Sequence, residues 1–283
     1  MMINILISTI DEGMARVEDI LLAPRDNVRY IVSHQVTDDR FLQVPEGLKR
    51  SDVVLSQIEG RGLSRNRNNV LKYAGEGVCL LADDDVRYTG ENFEAIREAF
   101  AGDPQLEVAC FKIATPPGEG EYKDYACDPY LLNEKNGHYI SSLEIAFRSE
   151  AVKDKGIKFD ERFGLGSGLI HYGEEAVFIH DCIKAGLKVK YIPSYVVEHS
   201  VMSATKAMEE YTTAKNIFKG GYDARRYGWR ALSAAFYDAL RLRAELARYH
   251  RSPLVYLNER LKGASYILFS RQAAGRDGVK RLR

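Results

Sequence analysis

Through the first two thirds of this 283-residue chain, apolar positions fall in two rhythms that take turns. Short runs rich in Val, Ile, Leu and Tyr read as buried strands at 3–9, 28–33, 52–56, 77–82, 107–113, 143–147 and 187–193. Between them lie stretches with helical spacing and helix-end punctuation. Asp11 is placed to cap a helix carrying Val17, Ile20 and Leu21, Ser64 to cap one that runs to Gly75, and Thr89 to cap one over 91–101. A further helix follows Gly173, gathers Val177, Phe178, Ile179, Cys182 and Ile183 on one face, and closes at Gly186. Strands alternating with helices predict an α/β fold, a mostly parallel sheet with helices packed on its faces.

Two segments leave that rhythm. Residues 115–137 are too long and polar for an ordinary connection, which marks them as a functional loop covering a site. After His199 the chain is expected to be helical to its end, and no internal repeat is present. The expected organisation is therefore a domain over 1–202 and a helical extension over 203–283.

Charge sharpens this division. The 40 basic and 40 acidic residues balance, which argues against a nucleic-acid partner. Yet 16 of the basic and only 5 of the acidic residues follow position 214, so the body is acidic and the extension basic. Near the end, Leu254, Leu257, Leu261, Tyr266, Ile267 and Phe269 are interleaved with Arg248, Arg251, Arg260, Lys262 and Arg271. That pattern gives two expectations: a basic helix lying on an anionic membrane, or a helix packed on the domain or a second subunit. Cys79, Cys110, Cys127 and Cys182 show no CxxC spacing and fit a reducing compartment. The N-terminus reads as a first strand and not a signal peptide, and no apolar run approaches the roughly 20 residues that span a bilayer. A cytoplasmic protein, free or peripheral on the inner membrane face, is expected.

The sharpest local feature is an apolar strand that delivers Asp83, Asp84 and Asp85 at its C-terminal end, where open α/β sheets bind ligands. Three adjacent carboxylates repel one another, so their placement points to a divalent ion, although an isolated acidic triplet is more often a solvated turn. Strand alternation turns Asp83 and Asp85 to one side and Asp84 to the other. Glu174 and Glu175 open the helix after Gly173; they are either a first-turn charge pair or a base reaching into a cleft. His199, just past the last strand, is a candidate metal ligand, and His171 and His34 are weaker candidates for substrate contact. Arg61, Arg65 and Arg67 flank a helix start able to meet a diphosphate, though the segment is neither a P-loop nor a dinucleotide fingerprint.

Read in order, Gly62, Ser64, Arg65, Asn66, Ala74, Gly75 and Glu76, then Asp83 and Asp85, then Glu174-Glu175 and a late His199, resemble the family 2 glycosyltransferases of the GT-A fold. The resemblance covers about residues 3–202. It implies a Rossmann-like, mixed, mostly parallel sheet flanked by helices, with the C-terminal helices as an extension. It further implies that Thr9 lies beside the nucleotide base, that Asp83 and Asp85 hold ribose, metal and diphosphate, and that His199 completes the binding of Mn²⁺ or Mg²⁺; Asp84, Arg65 and, from its place at a strand end, His34 are further candidates for donor binding. Glu175 stands where the family has the aspartate of a Glu-Asp pair that acts as catalytic base, with Glu174 as its rival. The second strand departs from the family, with Ser33, His34 and Gln35 where an acidic residue is usual.

The resemblance implies transfer of a sugar from a nucleoside-diphosphate sugar, a UDP-sugar before others, to a sugar or lipid-linked hydroxyl acceptor, in polysaccharide or glycolipid assembly. Two other classes stay open. A sugar nucleotidyltransferase shares the base fold but needs a glycine-rich basic loop after the first strand, where this chain has Ser-Thr-Ile-Asp-Glu-Gly. A non-catalytic sugar-binding module would have no use for the acidic and histidine positions.

Overall fold

The structure is a computed structural model that describes residues 1–134, 136, 140–201 and 210–270. All seven expected strands form, and a short eighth joins them: β1 (Ile3–Ile10), β2 (Val28–Val36), β3 (Val53–Glu59), β4 (Val78–Ala82), β5 (Val108–Ala114), β6 (Tyr130–Leu131), β7 (Ile145–Arg148) and β8 (Val189–Glu198). They make one sheet in the order β3-β2-β1-β4-β7-β5-β8-β6. β1 to β4 run parallel to their neighbours in that group, as do β5 and β8, while β7 is inserted antiparallel between β4 and β5. β6 pairs antiparallel with β8 at the edge. The sheet is mixed and mostly parallel, with helices on both faces.

Alternation along each strand assigns the faces. Ile3, Ile5, Ile7, Val78 and Leu80 meet Phe93, Ile96 and Phe100 of α3 (Gly90–Gly102), and also Val17 and Ile20 of the single turn α1 (Val17–Ile20). Leu6, Cys79 and Leu81 lie under Val70 of α2 (Leu63–Tyr73), Val152 of α4 (Ser149–Asp154) and Phe178 of α5 (Glu174–Lys184). Each such large side chain, fully withdrawn from water, contributes about 1.5–3 kcal/mol.

Several local expectations are corrected. Asp11 does not cap a helix: it opens a 3-10 turn over Asp11–Arg16 at a φ of 48°, and its carboxylate accepts from Thr37 N (2.8 Å) and Thr37 Oγ1 (2.7 Å). Ser64 lies inside α2, whose N-cap is Gly62, and its hydroxyl donates to the Phe163 carbonyl at 2.6 Å. β8 runs on past Pro193 to Glu198 because its pairing with β5 slips on either side of Lys112, and at such an irregularity the missing Pro N–H removes no ladder bond. Thr89 does cap α3, with the Asn92 side chain accepting from Thr89 N at 2.8 Å.

From β1 the chain moves outward through β2 and β3, then returns to β4 on the other side of β1. This reversal opens a crevice beyond the C-terminal ends of β1 and β4.

Behind the sheet, α6 (Thr213–Tyr227), α7 (Arg230–Arg241), α8 (Arg243–Arg248) and α9 (Pro253–Phe269) form a helical bundle. Ile217, Ala224, Ala264 and Ile267 share an apolar cluster with Val177 of α5, so the bundle buttresses the helix that carries Glu174 and Glu175. The residues at the expected 202/203 boundary, the end of the 115–137 loop and everything from Arg271 onward lie outside the described residues. α9 is the segment for which both a membrane-lying helix and a packed helix were expected, and it packs on α6: Tyr256 and Ile267 are buried, and Arg260 is 0% exposed between Asp223 and Asp238. No helix among the described residues is long and apolar enough to cross a membrane. The four cysteines are unpaired, with only Cys127 exposed.

Candidate active site

The crevice is built around the three aspartates that leave β4. Asp83 continues the face of Cys79 and Leu81 and meets Arg67 of α2 at 3.1 Å, whereas Asp84 turns to the other face. Asp84 accepts from Arg16 at 2.6 Å and from the Thr9 hydroxyl at the end of β1. Gly13 permits that approach, since a Cβ there would collide with the Asp84 carboxylate and the Thr9 hydroxyl. Asp85 faces His199 across 3.4 Å from the end of β8. The hydrogen bond to His199 holds the Asp85 carboxyl below its usual range, and the same bond raises the His199 imidazole.

Arg67 is the hub of the site. It is 2% exposed, donates to Glu174 at 2.5 Å and to Asp83 at 3.1 Å, and so ties α2 to β4 and α5. Burial opposes its charge, and the neighbouring Glu174, Asp83 and Glu175 outweigh that penalty. One cation faces three carboxylates. Asp83 is accordingly raised, by burial first, with Asp85 and Glu174 adding to it and Arg67 offsetting part. Glu175 is raised well above the ordinary carboxylate range, again by burial first and then by the Glu174 charge.

α5 begins abruptly because Gly173 takes a φ of 84°, and a side chain there would run into the Phe218 ring of α6. This turn sends Glu174 into the buried pair with Arg67 and leaves Glu175 half-buried beside it. At Gly164 in the preceding turn, an added Cβ would lie 3.0 Å from both the Glu174 carboxylate and the Ser64 hydroxyl.

Other expected residues lie elsewhere. His34 is 0% exposed; its ring holds the Asp11 carbonyl at 3.0 Å and Gln57 at 3.1 Å, and burial lowers its pKa. Thr9 is also buried, its carbonyl accepting from Asn66 at 2.9 Å. Arg65 donates to the Glu59 carbonyl at 2.9 Å, and Arg61 stays exposed 3.9 Å from Asp11. His171 is exposed ahead of α5. In the loop after β5, Tyr125 and Tyr130 stack on Tyr191 and line a cavity of about 340 Å³ with it, while Tyr122 packs edge-on to His199 at 6.0 Å. Glu119 pins that loop by accepting from Ser200 Oγ at 2.9 Å and from Val201 N at 2.6 Å. Beside the crevice, Asp11, Glu12, Thr37, Arg40, Phe41 and Arg61 line a groove of about 510 Å³. Asp11 and Thr37 were not singled out for it from the sequence.

No protein-family model matches the chain, and no curated protein does. Solved structures do. A crystal structure of S. aureus TarS 1-349 superposes with a TM-score of 0.60 at 16% identity, over 94% of this chain and 91% of that one. Complexes of the same fragment with UDP and with UDP-GlcNAc give the same TM-score at 16% and 14% identity. Against a longer TarS structure the chain spans 55% of the partner's length, with a TM-score of 0.61.

The fold is GT-A. Directly after Arg65-Asn66 the chain repeats the pair as Arg67-Asn68. Arg67 is the buried hub just described, and Asn68 exchanges hydrogen bonds with the Phe159 backbone at 2.9 and 2.8 Å. Among the described residues, no three His, Cys, Asp or Glu side chains gather into a metal-binding group. Asp85 and His199 stand as a pair at 3.4 Å.

Proposed function

We propose that this chain is an inverting glycosyltransferase that moves a sugar from a UDP-sugar to a hydroxyl acceptor, free or lipid-linked. The observation that carries the reading is the division of labour between adjacent glutamates. Glu174 is neutralised by Arg67, while Glu175 is half-buried with a raised pKa across Arg67 from the aspartates at the end of β4. A carboxylate whose pKa lies closer to the working pH is suited to take a proton from an acceptor hydroxyl. The freed oxygen attacks the anomeric carbon from the face opposite the leaving group; the new C–O bond forms as the bond to the diphosphate breaks, and UDP departs.

TarS, a glycosyltransferase of this fold, is known in complex with UDP and UDP-GlcNAc, which supports a UDP-sugar as donor here. The groove beside Asp11, Thr37 and Arg61 has room for the base; His34 supports it through the Asp11 carbonyl, and Thr9 serves the donor indirectly by holding Asp84. The donor set also fits a divalent cation. Asp85 and His199 would hold it with Asp83 nearby, and diphosphate oxygens would complete a shell that the protein alone leaves open. When bound, Mn²⁺ or Mg²⁺ supplies charge neutralisation for the departing diphosphate. The rival reading as a nucleotidyltransferase gains nothing from the turn after β1, which is an acidic 3-10 helix without a phosphate-cradling loop.

The test is UDP release from UDP-sugars, with and without acceptor sugars, in the presence of Mn²⁺. Turnover of one donor that falls with a chelator is the expected result. A chain that binds UDP-sugars but cleaves none in any metal would be a binding module.

A further inference from the structure

With α9 packed on α6, its neighbour α7 is left with a face that no other element among the described residues covers. Trp229, Phe236, Tyr237 and Leu240 follow one another at helical spacing, and all are exposed, Trp229 to 60% and Leu240 to 72%. The opposite face of α7, carrying Ala231, Ala235 and Ala239, is buried. An aromatic stripe of this size is costly in water and marks a contact surface.

Its surroundings say what kind. Arg230 at the start of α7 and Arg243 and Arg248 on the following α8 are exposed, and none makes an ion pair among the described residues. The acidic groups of the same helices are already engaged: Asp238 with Arg260 and Arg241, and Glu245 with the Tyr211 hydroxyl. Trp229 also touches Phe269 edge-on at 5.4 Å, so the end of α9 meets the start of α7. The sequence beyond that point, from Arg271 on, adds five basic residues against one acidic.

We propose that the outer face of α7, with these arginines, docks on an anionic lipid bilayer. Trp and Tyr rings, amphipathic and rigid, settle at the depth of the headgroups, and unpaired arginines complement anionic lipid just above them. A second copy of the chain would bring the same unpaired arginines against one another, and that repulsion favours the membrane as the occupant. The inference is independent of the chemistry in the crevice.

Trp229 is the single tryptophan of the chain and so reports on this face alone. Its emission should shift to the blue and be quenched by brominated acyl chains when vesicles of equal parts phosphatidylglycerol and phosphatidylcholine are added. Phosphatidylcholine vesicles should leave it unchanged, and high salt should reverse the shift. Replacing Arg230, Arg243 and Arg248 with Gln should lower vesicle partitioning roughly 100-fold. Phe236→Ser with Leu240→Ser should abolish the shift while circular dichroism and thermal melting stay those of the parent chain, because both side chains are on the surface. Emission indifferent to anionic vesicles would overturn the proposal. So would a blue shift that appears without lipid as protein concentration rises, together with a dimer by light scattering, because the face would then belong to a second copy.

Discussion

Two regions of this molecule bury charged groups, and they do it differently. In the bundle every buried charge is matched: Arg260 lies between Asp223 and Asp238 with the Tyr256 hydroxyl as a further partner, and Glu259 accepts from Arg251, Asn216 and Thr213. In the crevice, one buried arginine faces Asp83, Glu174 and Glu175. The carboxyl groups follow suit. Burial alone would raise Glu259, yet its three donors bring it below the ordinary value, whereas Glu175 and Asp83 stay raised. Matched charge fixes helices in place. Unmatched carboxylate is strain that a ligand, a cation or a proton can relieve, and it collects where the sheet topology opens a cleft.

The comparison breaks most visibly if the bundle is disturbed. Arg260→Met leaves Asp223 and Asp238 without their buried cation and should cost about 3–5 kcal/mol in denaturant unfolding. Donor affinity of the molecules still folded should be unchanged. A variant as stable as its parent would mean that the bundle charges are no more organised than those of the crevice.

Glu175→Gln tests the other side. It should lower transfer by about 10² or more with donor affinity retained, the signature of a lost base. Glu174→Gln removes the partner of Arg67 instead, so its main effect should appear as a lower melting temperature. If Glu174→Gln is the variant that loses turnover while remaining as stable as the parent, the roles of the two glutamates are exchanged.

The finest distinction is in pH. Glu175 is raised above its ordinary 4.5, so the folded state holds its proton more tightly than the unfolded chain. The stability it contributes is complete below 4.5 and is lost as pH rises toward its folded value. Glu259 is lowered from the same 4.5, so its contribution is present above 4.5 and is lost as pH falls through its folded value. Relative to the parent, Glu175→Gln should therefore gain stability as pH increases from about 4.5, and Glu259→Gln should lose it as pH climbs toward 4.5. Melting temperatures across pH 3–8, on the order of a few degrees apart, read both signs. Equal signs would show that the two regions treat their carboxylates alike.

How much of this was legible in the sequence depended on range. Strands with both faces buried announce themselves by composition, so β1, β2, β4 and β5 were found within a few residues of their ends. β6 is two residues long and too short to leave a pattern, and Pro193 masked the second half of β8 because the slip in pairing that accommodates it depends on β5, some 80 residues earlier. In the site, Asp83, Asp84 and Asp85 were visible because a strand delivers them together. Arg67 reads as one of three arginines at a helix start able to meet a diphosphate, and its role as a buried hub is hidden because its partner Glu174 is 107 residues away. His34 misled for the opposite reason: a strand end suggests a ligand, but the 3-10 turn at Asp11 closes over it. The tail reads as a basic helix with one apolar face, but in α9 Arg260 and Glu259 are buried while Leu254 and Phe269 are exposed, because α6 supplies buried partners for the charges.

The central claim, that the crevice takes a UDP-sugar with a divalent cation, is tested most directly by calorimetric titration of the full chain. UDP-GlcNAc and other UDP-sugars would be titrated with and without Mn²⁺, alongside Asp85→Ala and Arg260→Met. The account predicts that at least one UDP-sugar binds in the presence of Mn²⁺, that Asp85→Ala abolishes this binding with the fold intact, and that Arg260→Met keeps it. Binding that persists undiminished in Asp85→Ala, or a parent chain that binds no UDP-sugar with any divalent metal, would contradict it.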